Sequence, residues 1–243
     1  MIASSVHTTE CPAQPELALV VPVYNEEDAI IGVLSEWRQE LEKTVGLGKF
    51  ILIVVDDGST DETPVRLSQL GWPELIVRRH SNRGHGQSCL AGYLAAEDLH
   101  ATYVFQIDSD GQCDPAFFAS LWERRGRVPA LYGRRTQRDD GQARTVISSI
   151  LRWSLKLAHH TRLNDTNVPY RLYQTSRVAQ AARQIPGDFN LANIAIALLL
   201  EHEGFEEQPI RFRDRQGGHA TVRWWGFAPK ALKLHRDLFK LDR

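Results

Sequence analysis

Two acidic motifs at the ends of apolar strands constrain this chain more than anything else in it. Asp56-Asp57-Gly58-Ser59 follows Phe50-Ile51-Leu52-Ile53-Val54-Val55, and Asp108-Ser109-Asp110-Gly111-Gln112 follows Tyr103-Val104-Phe105-Gln106-Ile107. Short apolar runs rich in β-branched residues read as strands buried on both faces, as in parallel sheets. Carboxylates gathered at neighbouring strand ends repel one another. They stay ionised cheaply only with a cation between them or hydrogen-bond donors around them. Hard oxygen ligands suit Mg²⁺ or Mn²⁺, ions that commonly accompany a diphosphate. The motifs therefore predict a metal–diphosphate site at the C-terminal edge of a mostly parallel sheet.

The rest of the pattern supplies such a sheet. Residues 17–23 read as a first buried strand, and an amphipathic helix at about 27–43 places Ile30, Ile31, Leu34, Trp37 and Leu41 on one face. A second strand, 50–55, delivers the first acidic motif. Asp61 is positioned to cap the next helix, with Pro64 in its first turn. A strand near 74–78, a Gly84–Gly86 turn opening a helix, and a strand at 102–107 follow. The second half reads as helices near 115–125, 144–159 and 190–203, and strands near 130–133, 170–173 and 206–212. Strand–helix alternation predicts an α/β fold with helices on both faces of the sheet, and ligands outside the carboxyl ends of the strands. The chain has 243 residues, which suits a single domain. The expected division is a disordered tail over 1–15, a domain over 16–218 and a C-terminal amphipathic helix over 219–243.

Composition narrows the partners. The formal net charge is -1, which offers no footprint for nucleic acid. Arginines crowd one stretch, Arg124, Arg125, Arg127, Arg134, Arg135, Arg138 and Arg144, and guanidinium clusters suit phosphate ligands. The three cysteines, Cys11, Cys89 and Cys113, are widely spaced, so neither a disulfide framework nor a metal-type spacing is expected. A reducing cytoplasm fits that usage. No basic segment followed by an apolar core opens the chain, so no signal peptide is expected. The longest apolar run, around residues 191–200, is well short of the roughly 20 residues a spanning helix needs.

Each motif has its own chemistry. Val21-Pro22-Val23-Tyr24-Asn25-Glu26-Glu27 ends the first strand with polar groups that can reach a nucleoside, although an ordinary helix-capping arrangement has the same appearance. Gly58 permits a tight turn and close ligand approach, and two consecutive carboxylates exceed what a helix cap needs. In Asp108-Ser109-Asp110-Gly111-Gln112 the oxygens alternate, and in extended backbone Asp108, Asp110 and Gln112 would all face one cation. No histidine pair has metal-ligand spacing, but His85 and His219 lie in expected ligand loops.

The order Tyr-Asn-Glu, Asp-Asp-Gly-Ser-x-Asp, Gly-His-Gly, Asp-x-Asp-Gly-Gln and Gly-x-Arg resembles the family 2 glycosyltransferases, and most closely their dolichol-phosphate mannose synthase-like branch. The resemblance spans about residues 17–218 and implies the GT-A fold. It implies that Pro22, Tyr24, Asn25, Glu26, Asp56, Asp57, Gly86, Asp108, Ser109 and Arg215 contact a nucleotide-sugar donor. It further implies that Asp108, Asp110 and Gln112 hold Mg²⁺ or Mn²⁺ on the diphosphate. Gly133-Arg134-Arg135 matches the branch's Gly-x-Arg, and Arg144 with Ser148 matches an Arg-x-x-x-Ser pair that faces the acceptor phosphate. Asp165 matches the aspartate before the branch's Gly-Phe-Arg segment, which is Pro169-Tyr170-Arg171 here. After Arg215 the branch's Gly-x-Ser-Lys is replaced by Gly217-Gly218-His219-Ala220-Thr221.

The implied reaction is an inverting transfer of sugar from a GDP- or UDP-linked donor to a polyprenyl phosphate. The alternatives are transfer to a hydroxyl of a soluble molecule, glycan or protein with Asp165 as base, and a non-catalytic nucleotide-sugar-binding role. Residues 223–241 mix tryptophan, leucine and basic residues, a pattern able to lie in a membrane interface, to dock on its own domain or to meet a partner. The expected location is cytoplasmic, with peripheral contact on the cytoplasmic membrane face.

Overall fold

The computed structural model describes residues 14–136, 161–187, 189 and 191–215. Its centre is a seven-stranded sheet in the order β3-β2-β1-β4-β6-β5-β7. The strands are β1 (Leu17–Val23), β2 (Phe50–Asp56), β3 (Leu75–Arg79), β4 (Tyr103–Ile107), β5 (Ala130–Arg135), β6 (Tyr170–Gln174) and β7 (Phe205–Ile210). Every residue of β1 and β2 is buried, as their unbroken apolar runs require. Neighbours β3, β2, β1 and β4 run parallel, as do β5 and β7, while β6 is antiparallel to β4 and β5. The strand expected near 170–173 is present as β6, and local sequence carries no information on its direction.

Six α-helices are described: α1 (Ile30–Thr44), α2 (Thr63–Ser68), α3 (His85–Asp98), α4 (Phe118–Trp122), α5 (Thr175–Ala182) and α6 (Ala192–Glu201). Helix α1 begins three residues later than expected, because the carbonyl of Glu26 accepts N–H groups from both Ala29 and Ile30 and closes a turn first. The N-cap of α2 is Glu62, without a side-chain cap, one residue after the Asp61 expected there; Asp61 instead accepts the N–H of Thr63 at 3.0 Å, and Pro64 lies in the first turn. The helix expected at 144–159, the tail through residue 13 and the segment from 216 onward lie outside the described residues.

Alternation along the strands divides the core into two layers. Phe105 and Tyr170 face α1, where Trp37 lies 5.4 Å and 6.0 Å from their ring centroids. Their neighbours in sequence, Gln106 and Arg171, face the opposite layer of α3 and α6. In that layer α3 lies close against β1. A Cβ on Gly92 would stand 2.2 Å from Cγ1 of Val20. Valine in a strand is stiff at χ1 and cannot swing clear.

Gly92→Ala is expected to destabilise the domain by about 1–3 kcal/mol, because it overpacks that contact. Val20→Ala should recover part of the loss in the double variant, a coupling readable by urea unfolding. Strictly additive losses would contradict the packing described.

Candidate active site

The site forms where β1 and β4 part. β1 pairs with β2 along its whole length, from Leu17↔Phe50 to Val23↔Asp56. It pairs with β4 only from Leu17↔Tyr103 to Val20↔Gln106. Pro22, which has no N–H to give a ladder, stands beyond the last of those pairs. Connections leave this point in opposite directions across the sheet, the position where open α/β sheets bind ligands. A cavity of about 990 Å³ opens here, lined by residues that include Pro22, Tyr24, Asn25, Glu26, Asp57, Asp108, Ser109, Asp110 and Arg215.

Three loops are tied together to build its floor. Asn25 adopts a left-handed backbone conformation, φ 53°, which asparagine tolerates better than most residues. Its N–H donates to Ser59 Oγ at 3.0 Å, and its Oδ1 accepts the N–H of Thr60 at 2.8 Å. Asp57 accepts N–H groups from Arg83 at 2.7 Å and Gly84 at 2.9 Å, which fixes the loop that enters α3. Asp56 Oδ1 accepts the N–H of Ser59 at 2.8 Å, and its Oδ2 lies 3.1 Å from Arg79 Nε. Gly58, at φ 77°, has the Asn82 backbone so near that a Cβ would stand 2.9 Å from its nitrogen. Of three residues expected at the donor, Asn25 and Asp57 line the cavity, whereas Asp56 is fully buried behind it; all three tie together the loops that shape it. The expected extended run over 108–112 is instead a turn centred on Ser109-Asp110, with Gly111 at φ 78°. Asp108 and Asp110 still reach the cavity. Gln112 does not line it, and its side-chain amide donates to the Arg213 carbonyl at 3.4 Å. Gly86 is buried in the first turn of α3, behind its cavity-lining neighbours Gly84 and His85.

Charge is the dominant property of the cavity. Glu26, Glu27, Asp28, Asp57, Asp61, Asp108 and Asp110 line it, against Arg215 and His85. Arg215 Nη2 lies 2.8 Å from Asp110 Oδ2, and His85 Nε2 lies 3.5 Å from Asp108 Oδ1. Burial and the nearby Asp110 push the Asp108 carboxyl above its ordinary range, while His85, Arg135 and a hydrogen bond from Gln106 oppose them. Glu26 is raised to about 7, chiefly by burial, with Asp110, Asp108 and Asp61 adding to the shift and Arg215 resisting it. Its Oε2 is buried without a hydrogen-bond partner among the described residues. Such a carboxylate set has the chemistry to accept a hard divalent cation, which would relieve the mutual repulsion. Among the described residues no three acidic, histidine or cysteine side chains are arranged to close around one ion. A cation held by Asp108 and Asp110 would therefore take further oxygens from phosphate and water, as Mg²⁺ commonly does.

Beside this cavity, at the end of β5, Arg135 grips Asp165 through two bonds, Nε to Oδ2 at 2.7 Å and Nη2 to Oδ1 at 2.9 Å. The Arg135 guanidinium also lies 5.3 Å from the centroid of the Phe212 ring. The other two residues expected on the acceptor side, Arg144 and Ser148, lie outside the described residues. Sequence reasoning passed over Asn82 and Ser88, which also line the cavity. Asn82 could have been noticed as a polar residue in the loop before Gly84, whereas Ser88 reads as an ordinary helical residue.

The sequence profile of Glycosyl transferase family 2 matches residues 18–178. The chain belongs to that family. It is 31% identical over 182 residues to dodecaprenyl-phosphate galacturonate synthase from Rhizobium johnstonii, covering 72% of this chain and 53% of that protein. It is 22% identical over 252 residues to dolichyl-phosphate beta-glucosyltransferase from Saccharomyces cerevisiae, covering 91% of this chain and 72% of the yeast protein. The chain spans about half the length of the bacterial relatives it matches. In fold it is similar to glucosyl-3-phosphoglycerate synthase from Mycobacterium tuberculosis, solved with Mn²⁺, UDP-glucose and phosphoglyceric acid. That likeness has a TM-score of 0.64 at 18% identity and covers 99% of this chain and 85% of that one.

The raised Glu26 carboxyl has a sign that can be tested. The folded state holds its proton up to about pH 7, above the ordinary 4.5 of a free carboxyl, so its contribution to stability is full below about 4.5 and is lost as pH rises through 7. Glu26→Gln is expected to flatten the fall in stability between those values and to unfold at higher urea than the parent at pH 8. Parallel stability–pH curves for the two proteins would contradict the burial described.

Proposed function

We propose that the cavity holds a nucleotide-sugar donor through a divalent cation, Mg²⁺ or Mn²⁺, and that the sugar passes to the phosphate of a polyprenyl phosphate. The observation that carries this reading is the pair Asp108 and Asp110 at the parting of β1 and β4, with Arg215 on Asp110. The names of the Rhizobium and yeast relatives, both polyprenyl-phosphate sugar transferases, support the acceptor class. The Mn²⁺ and UDP-glucose in the mycobacterial structure support the donor class.

On this reading Asp108 and Asp110 hold the cation, which as a Lewis acid would offset charge developing on the departing nucleoside diphosphate. Tyr24, 40% exposed at the cavity wall, offers a ring to the base, and Asn25 and Glu26 stand beside it. Arg215 pairs with Asp110 and is positioned to exchange that contact for a phosphate oxygen. An acceptor phosphate oxygen forms the new bond to the anomeric carbon as the bond to the diphosphate breaks on the opposite face, so the configuration inverts. A phosphate is already an anionic nucleophile and gives up no proton. This suits Asp165, whose carboxylate is already engaged by two bonds from Arg135. Arg135, with Arg144 and Ser148, is assigned to the acceptor side. Among the described residues no helix is long and apolar enough to cross a membrane. Contact with the lipid acceptor at the membrane is assigned to the aromatic and basic sequence of residues 223–241.

Transfer of labelled sugar from UDP- and GDP-linked donors, with polyprenyl phosphate and Mn²⁺ supplied, tests this reading. The label should move into an organic-extractable, mild-acid-labile product. Asp110→Asn should lower turnover by about a hundredfold or more while the unfolding temperature stays near that of the parent. Label confined to a water-soluble glycoside would favour a hydroxyl acceptor, and full turnover in Asp110→Asn would overturn the cation assignment.

A further inference from the structure

We propose that Gln106, Asn193 and Tyr93 are positioning residues that hold Asp108 in a cation-binding orientation from inside the core. The inference rests on the reading of Asp108 given above. Its basis is an unbroken line of hydrogen bonds running from the α3–α6 layer to the cavity. Tyr93 Oη donates to Asn193 Oδ1 at 2.9 Å. Asn193 Nδ2 donates to Gln106 Oε1 at 3.2 Å, and Gln106 Nε2 donates to Asp108 Oδ1 at 3.2 Å. Arg171 Nη1 donates to the backbone carbonyl of Asn193 at 2.7 Å, tying the first turn of α6 to β6.

Three features separate this line from incidental core polarity. First, its direction is fixed. A phenol proton enters at one end, each amide passes on a donor, and the last donor meets a carboxylate. Turning the Gln106 amide over would set its oxygen against Asp108 and its nitrogen against the nitrogen of Asn193. Second, the fold does not require it. Gln106 is fully buried as the penultimate residue of a central strand, between the apolar Phe105 and Ile107, in a position where the paired strand β1 carries an apolar side chain, Val20. Asn193 is the second residue of α6, past the N-cap position held by Leu191, and its amide is turned to Gln106 and Tyr93. Third, buried amides are costly unless fully partnered, and this arrangement partners them by ending on a group of the site. Such outer groups commonly fix the orientation of ligating carboxylates. Among the described residues the protein bonds of Asp108 fall on Oδ1, and the cavity lies beside it.

The test is binding of Mn²⁺ to the full chain at saturating UDP and, separately, GDP, read from the electron paramagnetic resonance signal of free Mn²⁺. Gln106→Leu and Asn193→Asp are each expected to weaken Mn²⁺ binding about tenfold or more. The double variant Gln106→Leu/Asn193→Leu removes both amides, so it should regain thermal stability lost in Gln106→Leu while Mn²⁺ affinity stays low. Unchanged affinity in Gln106→Leu, or affinity that returns together with stability in the double variant, would overturn the positioning role. If the parent takes up no Mn²⁺ with either nucleotide, the reading of Asp108 itself falls, an outcome distinct from parent and variants binding alike.

Discussion

Like-charge repulsion among carboxylates at one edge of a buried sheet is the constraint on which the rest of this structure depends. Asp56, Asp57, Asp110 and Glu26 are each nine-tenths buried or more, and Asp108 stands close by. Each is met by a different device. Asp57 accepts two backbone N–H groups, and Asp56 accepts one from its own turn and lies against Arg79. Asp110 faces Arg215, and Asp108 faces His85 and the Gln106 amide. For Glu26, burial and negative neighbours outweigh Arg215, and its carboxyl is raised accordingly. Hydrogen bonds to charged groups contribute about 1.5–3 kcal/mol each, so the loops these acids organise are held firmly. What remains uncompensated faces the cavity, and a dication is the simplest remedy.

The fold supplies that edge by ordinary means. Apolar runs bury β1 and β2 completely, and the parallel pairing of β1 with β2 on one side and β4 on the other brings the strand ends into register. The early end of the β1–β4 ladder then opens space between the acidic turns. The two faces of the sheet divide the work. The layer around Trp37 is aromatic packing, whereas the layer under α3 and α6 carries a polar line that ends on the site. Stability and site geometry are thus joined at β4, where Phe105 serves one and Gln106 the other.

Much of this was legible from residue order alone. The buried strands, the loops at their ends and the carboxylates in those loops follow from hydrophobic runs and turn residues, which are local signals. The matched family confirms the fold and the transferase class that those motifs resembled. What escaped was non-local. The partners of Asp57 lie 26 and 27 residues on, in a loop whose nearness depends on β3 pairing with β2. The turn at Ser109-Asp110 replaces an extended run because Gly111 allows a positive φ, which spacing does not reveal. Gln106 reads as one polar residue in a strand until Asn193, 87 residues away, is seen against it.

The central claim is that the acidic edge is completed by a divalent cation and a nucleoside diphosphate together. Calorimetric titration of UDP and GDP into the full chain, with Mn²⁺ and again with EDTA, tests it most directly. The account predicts that one nucleotide binds in Mn²⁺ and that its binding is lost in EDTA. Equal affinity with and without the cation would contradict it, since nothing would then relieve the repulsion between those carboxylates and the diphosphate.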